Sequence, residues 1–404
     1  MINLKEKKDC CGCSACVQKC PMHCITLVED NEGFLYPKID ASVCINCGLC
    51  EKVCPWLNRP DPIEPKEVLA VKNRDEDERM ASSSGGVFIA LARKIIERGG
   101  VVFGAVFDGN WEVMHVYAET IESVRPMMGS KYVQSRIGNS YQDAERFLKE
   151  GRDVLFTGTP CQIAGLHQFL RKDYPNLLSV DFLCHGVPSP GVWRRYLDET
   201  FVRSAQRAAT GKNTVLSSSL KAVSVVTGIE FRDKKSYGWK KFSFVVRGRS
   251  ASKADQNSVL LSDIHKVNPY MRGFLSNIYL RPSCYQCKCK NGVSLSDLTI
   301  ADFWGIDQLM PDFDDDKGVG LVLLNTDRGV RAFKCLNMEI MKSTLEAVKR
   351  YNGGFRERID INLSRSVFYK KFVTGISIND CISHSLKESI FRKIFNKLYG
   401  IIKH

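Results

Sequence analysis

Short apolar runs alternate with glycine- and serine-rich turns along most of the chain. Ile25-Thr26-Leu27-Val28 and Gly33-Phe34-Leu35-Tyr36-Pro37 bracket a turn at Asn31 and predict two short strands. Further on, Val68–Val71 predicts a strand, and Val87 to Ile96 has the 3–4 periodicity of a helix that stops at Gly99-Gly100. Val101–Phe107 and the alternating Glu112–Tyr117 follow as strands, and Asn139 to Lys149 as a helix. Asp153–Thr157 is a short apolar strand whose Gly158-Thr159-Pro160 turn opens a helix through Leu170. Leu178–Leu183 repeats the pattern. Strand, glycine-rich turn, helix is the grammar of an α/β layer, which places ligands at the carboxyl ends of its strands.

Val225–Glu230 and Lys241–Arg247 predict antiparallel strands. Asp297–Ile306 reads as a strand entering a turn, Val319–Leu324 as another, and a helix is expected from Val330. Residues 203–223 have no periodicity and read as a surface excursion. At the end, Ile390, Phe391, Ile394, Phe395, Leu398, Ile401 and Ile402 recur at helical spacing opposite Arg392, Lys393 and Lys397. Such a helix suits an anionic membrane surface, a partner, or packing on its own domain.

Cysteine changes this picture most. Cys10-x2-Cys13-x2-Cys16-x3-Cys20-Pro21 is repeated as Cys44-x2-Cys47-x2-Cys50-x3-Cys54-Pro55. This is two-cluster ferredoxin spacing, in which the last cysteine of each run serves the other cluster. The expected sets are Cys10, Cys13, Cys16 and Cys54 for one 4Fe-4S cluster, and Cys44, Cys47, Cys50 and Cys20 for the other. Structural zinc is the alternative that the doubled run disfavours. Cys11 and Cys24 fall outside the pattern, Cys24 as a small buried residue. Asn58-Arg59-Pro60-Asp61-Pro62-Ile63-Glu64-Pro65 is a stiff extended linker. The expected organisation is residues 1–58 as a ferredoxin-like domain, 59–66 as linker, 67–365 as the large domain, and 366–404 as a basic amphipathic helical segment.

Composition bounds the rest. The chain has 404 residues, 44% hydrophobic and 25% charged, as in an ordinary globular protein. No apolar run is long enough to span a bilayer, and Met1–Lys8 does not resemble a signal peptide. Seventeen cysteines, eight of them in cluster spacing, argue for a reducing cytoplasm as the expected compartment. A formal charge of +13 fits solubility, an acidic redox partner, or peripheral contact with the inner face of a membrane. No nucleic-acid-binding motif is present to organise that charge, so nucleic acid is not an expected partner.

Elsewhere, Ala81-Ser82-Ser83-Ser84-Gly85-Gly86 stands at a helix entrance, either as an anion cradle or as a plain cap and tight turn. Cys161, Cys184, Cys284 and Cys287 each sit at a turn beside a strand or helix end. Either they are four soft ligands for a third metal site, or Cys161 and Cys184 are buried core cysteines while only the Cys284 loop binds anything.

Taken together, Ser82–Gly86, Gly129–Ser135, Gly158–Ala164, Cys184–Pro190, Arg281–Cys287 and Asp297–Gly305 closely resemble the beta subunit of coenzyme F-420 hydrogenases and dehydrogenases and its bacterial relatives. The resemblance covers most of the chain before the tail. It implies an α+β bacterial-type ferredoxin domain followed by a larger α/β, mixed-sheet, flavin-binding domain. It also implies FAD lined by Ser83, Ser84, Gly85, Gly86, Ser130, Lys131, Gly158, Thr159 and Pro160, and a third 4Fe-4S cluster on Cys161, Cys184, Cys284 and Cys287. Cys289 is an alternative ligand there.

The function so implied is an iron–sulfur flavoprotein oxidoreductase. It would carry electrons between a ferredoxin or other redox protein and a small-molecule hydride donor or acceptor. A flavin takes electrons as a hydride and releases them singly, which joins the two currencies. Lys131 would stabilise an anionic reduced flavin, or be a plain surface lysine; His185 would shuttle a proton or, preferably, hydrogen-bond the backbone. Rival readings are a non-catalytic electron-transfer subunit and a partner protein in polysaccharide biosynthesis. No GxGxxG is present, so a standard dinucleotide fold is not expected.

Overall fold

The computed structural model describes residues 2–202, 226–250, 253–355 and 359–387. The aperiodic 203–223 segment and the amphipathic run from Ile390 lie outside the described residues.

In the first 58 residues, β1 (Ile25–Glu29) and β2 (Leu35–Ile39) form an antiparallel hairpin, and the helical turns Ala15–Lys19 and Leu49–Lys52 each carry the third cysteine of one run, Cys16 and Cys50. The principal sheet uses β3 (Glu67–Asn73), β4 (Val101–Phe107), β5 (Val113–Ala118), β6 (Val154–Thr157) and β7 (Leu177–Phe182). A separate antiparallel sheet contains β8 (Val226–Asp233), β9 (Ser243–Ser250) and β10 (Lys253–Ile264). β11 (Leu298–Asp302), β12 (Gly320–Leu324) and β13 (Met338–Ser343) complete the principal, eight-stranded sheet in the order β13-β3-β12-β11-β7-β6-β4-β5.

Strand sequences match their places. β12 is Gly-Leu-Val-Leu-Leu and buried throughout, as an interior strand must be. β13 is an edge strand, largely exposed, and its Glu339 and Lys342 discourage pairing with other chains. Along β4 and β6 alternate residues face opposite ways. Val102 and Leu155 pack under the helices Val87–Glu97 and Asp327–Lys334, whereas Phe103 and Phe156 pack under Ser140–Lys149 and Pro160–Leu170. Each fully buried phenylalanine contributes about 1.5–3 kcal/mol.

β4, β6, β7 and β11 run parallel, and β3 shares their direction because β12 is antiparallel to both β11 and β3. Their carboxyl ends therefore open onto one edge. The loops leaving that edge carry Ser82–Gly86, Gly158–Cys161, Cys184–Pro190 and Phe303–Gly305.

The N-terminal module is seated on the large domain. Cys11, Cys13, Ala15, Val53 and Trp56 share one apolar cluster with Tyr141, Ile163, Leu166 and Phe169. Arg365 donates to both carboxylate oxygens of Glu32, at 2.8 and 2.5 Å, and the Gln18 carboxamide oxygen accepts from the backbone N–H of Tyr141 at 3.0 Å. At the tip of the hairpin, a β-carbon on Gly33 would stand 2.5 Å from the Cα of Gly191, so two backbones touch where side chains would not fit.

The expected boundary at 365 falls at the start of the helix Arg365–Val373. Phe368 and Tyr369 there, and Ile378, Cys381 and Ile382 beyond, are buried in an aromatic core with Trp193, Tyr270 and Tyr279. Residues 366–387 are thus part of the large domain's packing. No described helix is long and apolar enough to cross a membrane.

Candidate functional site

The two cysteine runs enclose two cavities. One is walled by Cys10, Cys13, Cys16 and Cys54, with Cys11, Leu27, Pro37 and Trp56. The other is walled by Cys20, Cys44, Cys47 and Cys50, with Cys24, Ile25 and Ile39. Cys20 thus faces the second run and Cys54 the first. Among the described residues no three Cys, His, Asp or Glu side chains converge on a point that would hold one ion. Four thiols ringing a cavity suit an inorganic cluster, whose irons stand apart, better than a lone zinc.

Burial pushes the Cys16 thiol up to about 12, helped by Cys10, Cys54 and Cys50. Thiolates packed this closely need a positive centre among them, which iron supplies. Cys24 was expected as a buried small residue. It is buried, and its sulfur lies 3.4 Å from Cys20 Sγ on the cavity wall.

The cavities differ in access. Each has two buried cysteines, but Cys47 of the outer cavity is exposed, whereas the remaining inner cysteines, Cys10 and Cys54, are only partly so. Cys16 lies within electrostatic reach of Cys50, so the cavities are neighbours. On its far side the inner cavity adjoins the large domain, because the Cys11 thiol lies within electrostatic reach of both Cys13 and Cys161 and packs in one cluster with them.

Cys161 occupies the second position of the helix Pro160–Leu170, whose N-cap is Thr159. A helix N-terminus favours thiolate, but the neighbouring Cys11 first and then burial outweigh it and raise the Cys161 thiol well above its ordinary range. The charges of Cys161, Cys284 and Cys287 all reach Cys184, and burial is the main cause that raises the Cys184 thiol and takes Cys284 to about 12. The four turns thus bring their thiols into one neighbourhood. Cys289 is buried at its border, within reach of Cys161, Cys287 and Cys54.

At the carboxyl edge, the serines and glycines of Ser83–Gly86 have structural duties. Ser83 Oγ accepts from Ser130 N at 2.7 Å, and Ser84 Oγ donates to Val319 O at 2.8 Å. A β-carbon on Gly85 would meet Val71 O at 2.4 Å, and Gly86 has φ +80° as N-cap of Val87–Glu97. No side chain caps that helix start.

Lys131 Nζ donates to the carbonyls of Met127, Met128 and Gly129 at 3.1–3.3 Å, and burial lowers it to about 7. Beside it, His115 Nε2 lies 3.0 Å from Thr157 O and Nδ1 2.9 Å from Ser135 Oγ. The carbonyl fixes the tautomer: Nε2 donates and Nδ1 accepts. Burial first, then Lys131, holds His115 at about 4 and neutral. Gln162 links Ser135 to Thr159 N, tying this pair to the Gly158–Pro160 turn.

His185 lies elsewhere. Its Nε2 is 2.7 Å from Asn277 Oδ1, and its ring stands edge-on to Phe274. A second contact runs to the Phe274 backbone, and burial lowers the ring's affinity for a proton.

Sequence reading missed several partners at this edge. Lys234 Nζ donates to Arg79 O and Lys317 O, both at 2.7 Å, and to Ser84 O at 3.3 Å; burial lowers it to about 7. Arg232 holds Asp302 through two hydrogen bonds, at 2.6 and 2.9 Å. Trp239 donates to the same carboxylate and stacks on Trp304, with centroids 4.9 Å apart. The Asp302-Phe303-Trp304-Gly305 turn was a visible signal, but its partners lie about seventy residues away, in β8 and just after it.

Comparison with known proteins gives this edge and these cavities a lineage. Residues 151–347 match the model of the carboxyl-terminal part of the coenzyme F420 hydrogenase/dehydrogenase beta subunit, and residues 9–58 match that of the 4Fe-4S dicluster domain. One component of the F(420)H(2) dehydrogenase of Methanosarcina mazei is 26% identical over 165 residues, 38% of this chain and 46% of that protein. The coenzyme F420-dependent sulfite reductase of Methanocaldococcus jannaschii is 27% identical over 163 residues, 39% of this chain and 25% of that protein. The 7Fe ferredoxin of Hydrogenibacillus schlegelii is 48% identical over 42 residues, 10% of this chain and 47% of that protein.

The chain thus spans about half the length, or less, of these relatives. The front module is a 4Fe-4S binding domain of ferredoxin type, and the motifs that line the carboxyl edge fall largely within the matched 151–347 region. Over residues 151–347 the chain is thus similar to the carboxyl-terminal part of coenzyme F420 hydrogenase/dehydrogenase beta subunits, and over residues 9–58 to the 4Fe-4S dicluster domain, which together mark it as an iron–sulfur redox protein.

Proposed function

We propose that the chain is an FAD-dependent iron–sulfur oxidoreductase with an outer, an inner and a core 4Fe-4S cluster in series. One observation carries this reading: an unbroken succession of thiols from exposed Cys47, across both cavities, through Cys11, to Cys161 and Cys184. Cys44, Cys47, Cys50 and Cys20 hold the outer cluster and face a ferredoxin or similar redox protein. Cys10, Cys13, Cys16 and Cys54 hold the inner one. Cys161, Cys184, Cys284 and Cys287 hold the core cluster, with Cys289 as a buried neighbour.

FAD, when bound, exchanges a hydride with an organic partner and single electrons with iron. Ser83–Gly86, Ser130, Lys131 and the Gly158–Pro160 turn line its site. The uncapped N–H groups at the start of Val87–Glu97 receive the pyrophosphate. Lys131, balanced between its charged and neutral forms at neutral pH, supplies adjustable positive charge there. His115 stays neutral and orients the Ser135–Gln162 link. His185 packs against Phe274 beside Cys184 and has no part in proton movement.

The test is iron, sulfide and flavin content after anaerobic reconstitution. About twelve iron and one FAD per chain are expected, from four iron per cubane. Iron near eight with no flavin absorption would overturn the proposal. A relative that is itself one component of a dehydrogenase supports a second arrangement, in which this chain passes electrons within a larger complex. Hydride exchange by the isolated chain decides between the two.

A further inference from the structure

Arg281 lies where the N-terminal module meets the large domain. It is 1% exposed, although its charge is permanent. Nε donates to Cys10 O at 2.7 Å, Nη2 to Leu35 O at 2.9 Å, and Nη1 to Gln134 Oε1 at 3.0 Å. Nη2 also faces Cys10 Sγ at 3.6 Å. The guanidinium lies over the Tyr36 ring, 4.3 Å from its centroid. Among the described residues its hydrogen-bond partners are carbonyls, an amide and a thiol, with no carboxylate. The place is built for it: a β-carbon on Gly12, inside the first cysteine run, would stand 2.9 Å from the Arg281 Cζ and 2.6 Å from Gln134 Nε2.

A buried guanidinium without a counter-ion costs several kcal/mol unless an anion meets it. The thiol it faces belongs to the inner cavity. A cluster held by four thiolates is negatively charged, and each electron it accepts makes it more so. A fixed positive charge 3.6 Å from one ligand sulfur favours the reduced state. The outer cavity has no such partner among the described residues; its Cys50 sulfur meets the backbone N–H of Ile2, at 3.2 Å.

We propose that Arg281 sets the reduction potential of the inner cluster above that of the outer one, making the buried site the sink between the exposed port and the core. This rests on the reading that Cys10, Cys13, Cys16 and Cys54 hold a cluster. Arg281 belongs to the large domain, three residues before Cys284, and reaches across the boundary to the module's Cys10.

The experiment is a potentiometric titration of the reconstituted full chain, followed by electron paramagnetic resonance. The outer signal is assigned with Cys47→Ser. Arg281→Gln is expected to move the inner equilibrium at least about tenfold toward oxidation, ~59 mV for one electron, and to leave the outer signal in place. Arg281→Lys should recover most of the shift. Gln134→Glu, which sets a carboxylate against the guanidinium without removing it, should reproduce the direction of Arg281→Gln even if that variant loses its inner cluster.

Arg365→Gln loosens the Glu32 latch of the same module without touching a cysteine and should leave the inner potential unchanged. An inner potential unmoved by both Arg281→Gln and Gln134→Glu, with iron retained, overturns the proposal. So does an equal shift in Arg365→Gln, which would make seating rather than charge the cause. Absence of the inner cluster in the unaltered chain would instead remove the reading beneath it.

Discussion

Gly165 and Cys13 touch across the boundary between the large domain and the N-terminal module. A β-carbon on Gly165 would stand 2.9 Å from Cys13 Cβ and 3.1 Å from its sulfur. Gly165 sits in the helix Pro160–Leu170 that begins with Cys161, where glycine carries a conformational cost of about 0.5–1 kcal/mol relative to alanine. That cost is offset by an approach no other residue permits. Gly165→Ala should destabilise the protein by about 1–3 kcal/mol through overpacking, and should lower iron content by selectively losing the inner cluster. Urea unfolding and iron analysis read both; unchanged iron would separate the contact from the cluster.

Exposure ranks the proposed clusters by vulnerability. Cys47 is exposed, whereas Cys10 and Cys54 are only partly so and Cys13 and Cys16 are buried. Chelator treatment under argon should therefore remove iron in phases, the first assigned to the outer site. Cys47→Ser should abolish that phase and slow reduction by an external ferredoxin while sparing the later phases. Stopped-flow reduction and timed iron release test this, and a single uniform phase would contradict it.

Asp181 gives the large domain an acid-range signature. It is 4% exposed, accepts from Ser294 Oγ at 2.5 Å and Thr299 Oγ1 at 2.6 Å, and burial raises it to about 6. The unfolded chain releases this proton near pH 4, so between about pH 4 and 6 the native state holds a proton the unfolded state has lost. Stability from this group is full below about pH 4 and is lost as pH rises through about 6. Asp181→Asn should flatten that fall, on the order of 2 kcal/mol, in urea midpoints compared from about pH 4 to 7.

Lys131 acts in the opposite pH range. Its native value of about 7 lies below its ordinary 10.5, so between those limits the unfolded chain binds a proton that the native state does not. Stability should rise with pH across that window. Lys131→Met should be the more stable protein at about pH 7, show no such rise up to about pH 10, and bind FAD more weakly. Parallel unfolding and flavin-retention measurements separate the packing effect from the binding effect.

Much of this arrangement is legible in the chain because its causes are local. Cysteine spacing is a property of loops, and the apolar alternation that puts Val102 and Phe103 on opposite faces needs no distant partner. The serine- and glycine-rich loop was visible too, but its glycine at 85 is required by the backbone of Val71 and Gly320, which only the folded sheet supplies. Arg232 and Asp302 pair across about seventy residues, and Lys234 is held by carbonyls, which every residue has; neither leaves a pattern along the chain. The helix at 365 reads as part of a basic tail because residues 367–404 hold seven Lys or Arg against two acids. Phe368 and Tyr369 nevertheless bury one side of it.

The meeting of Gly33 and Gly191 bears on how such a protein could be built or rebuilt. Ferredoxin-type modules are short and self-contained, which invites treating them as cassettes to be exchanged between hosts. Here the hairpin tip lies backbone against backbone on its host. A donor module with any side chain at that tip would ride high by the thickness of a methyl group, lifting its cysteines away from Cys161. Exchange would succeed only where donor and host supply both glycines, which makes module and host matched parts.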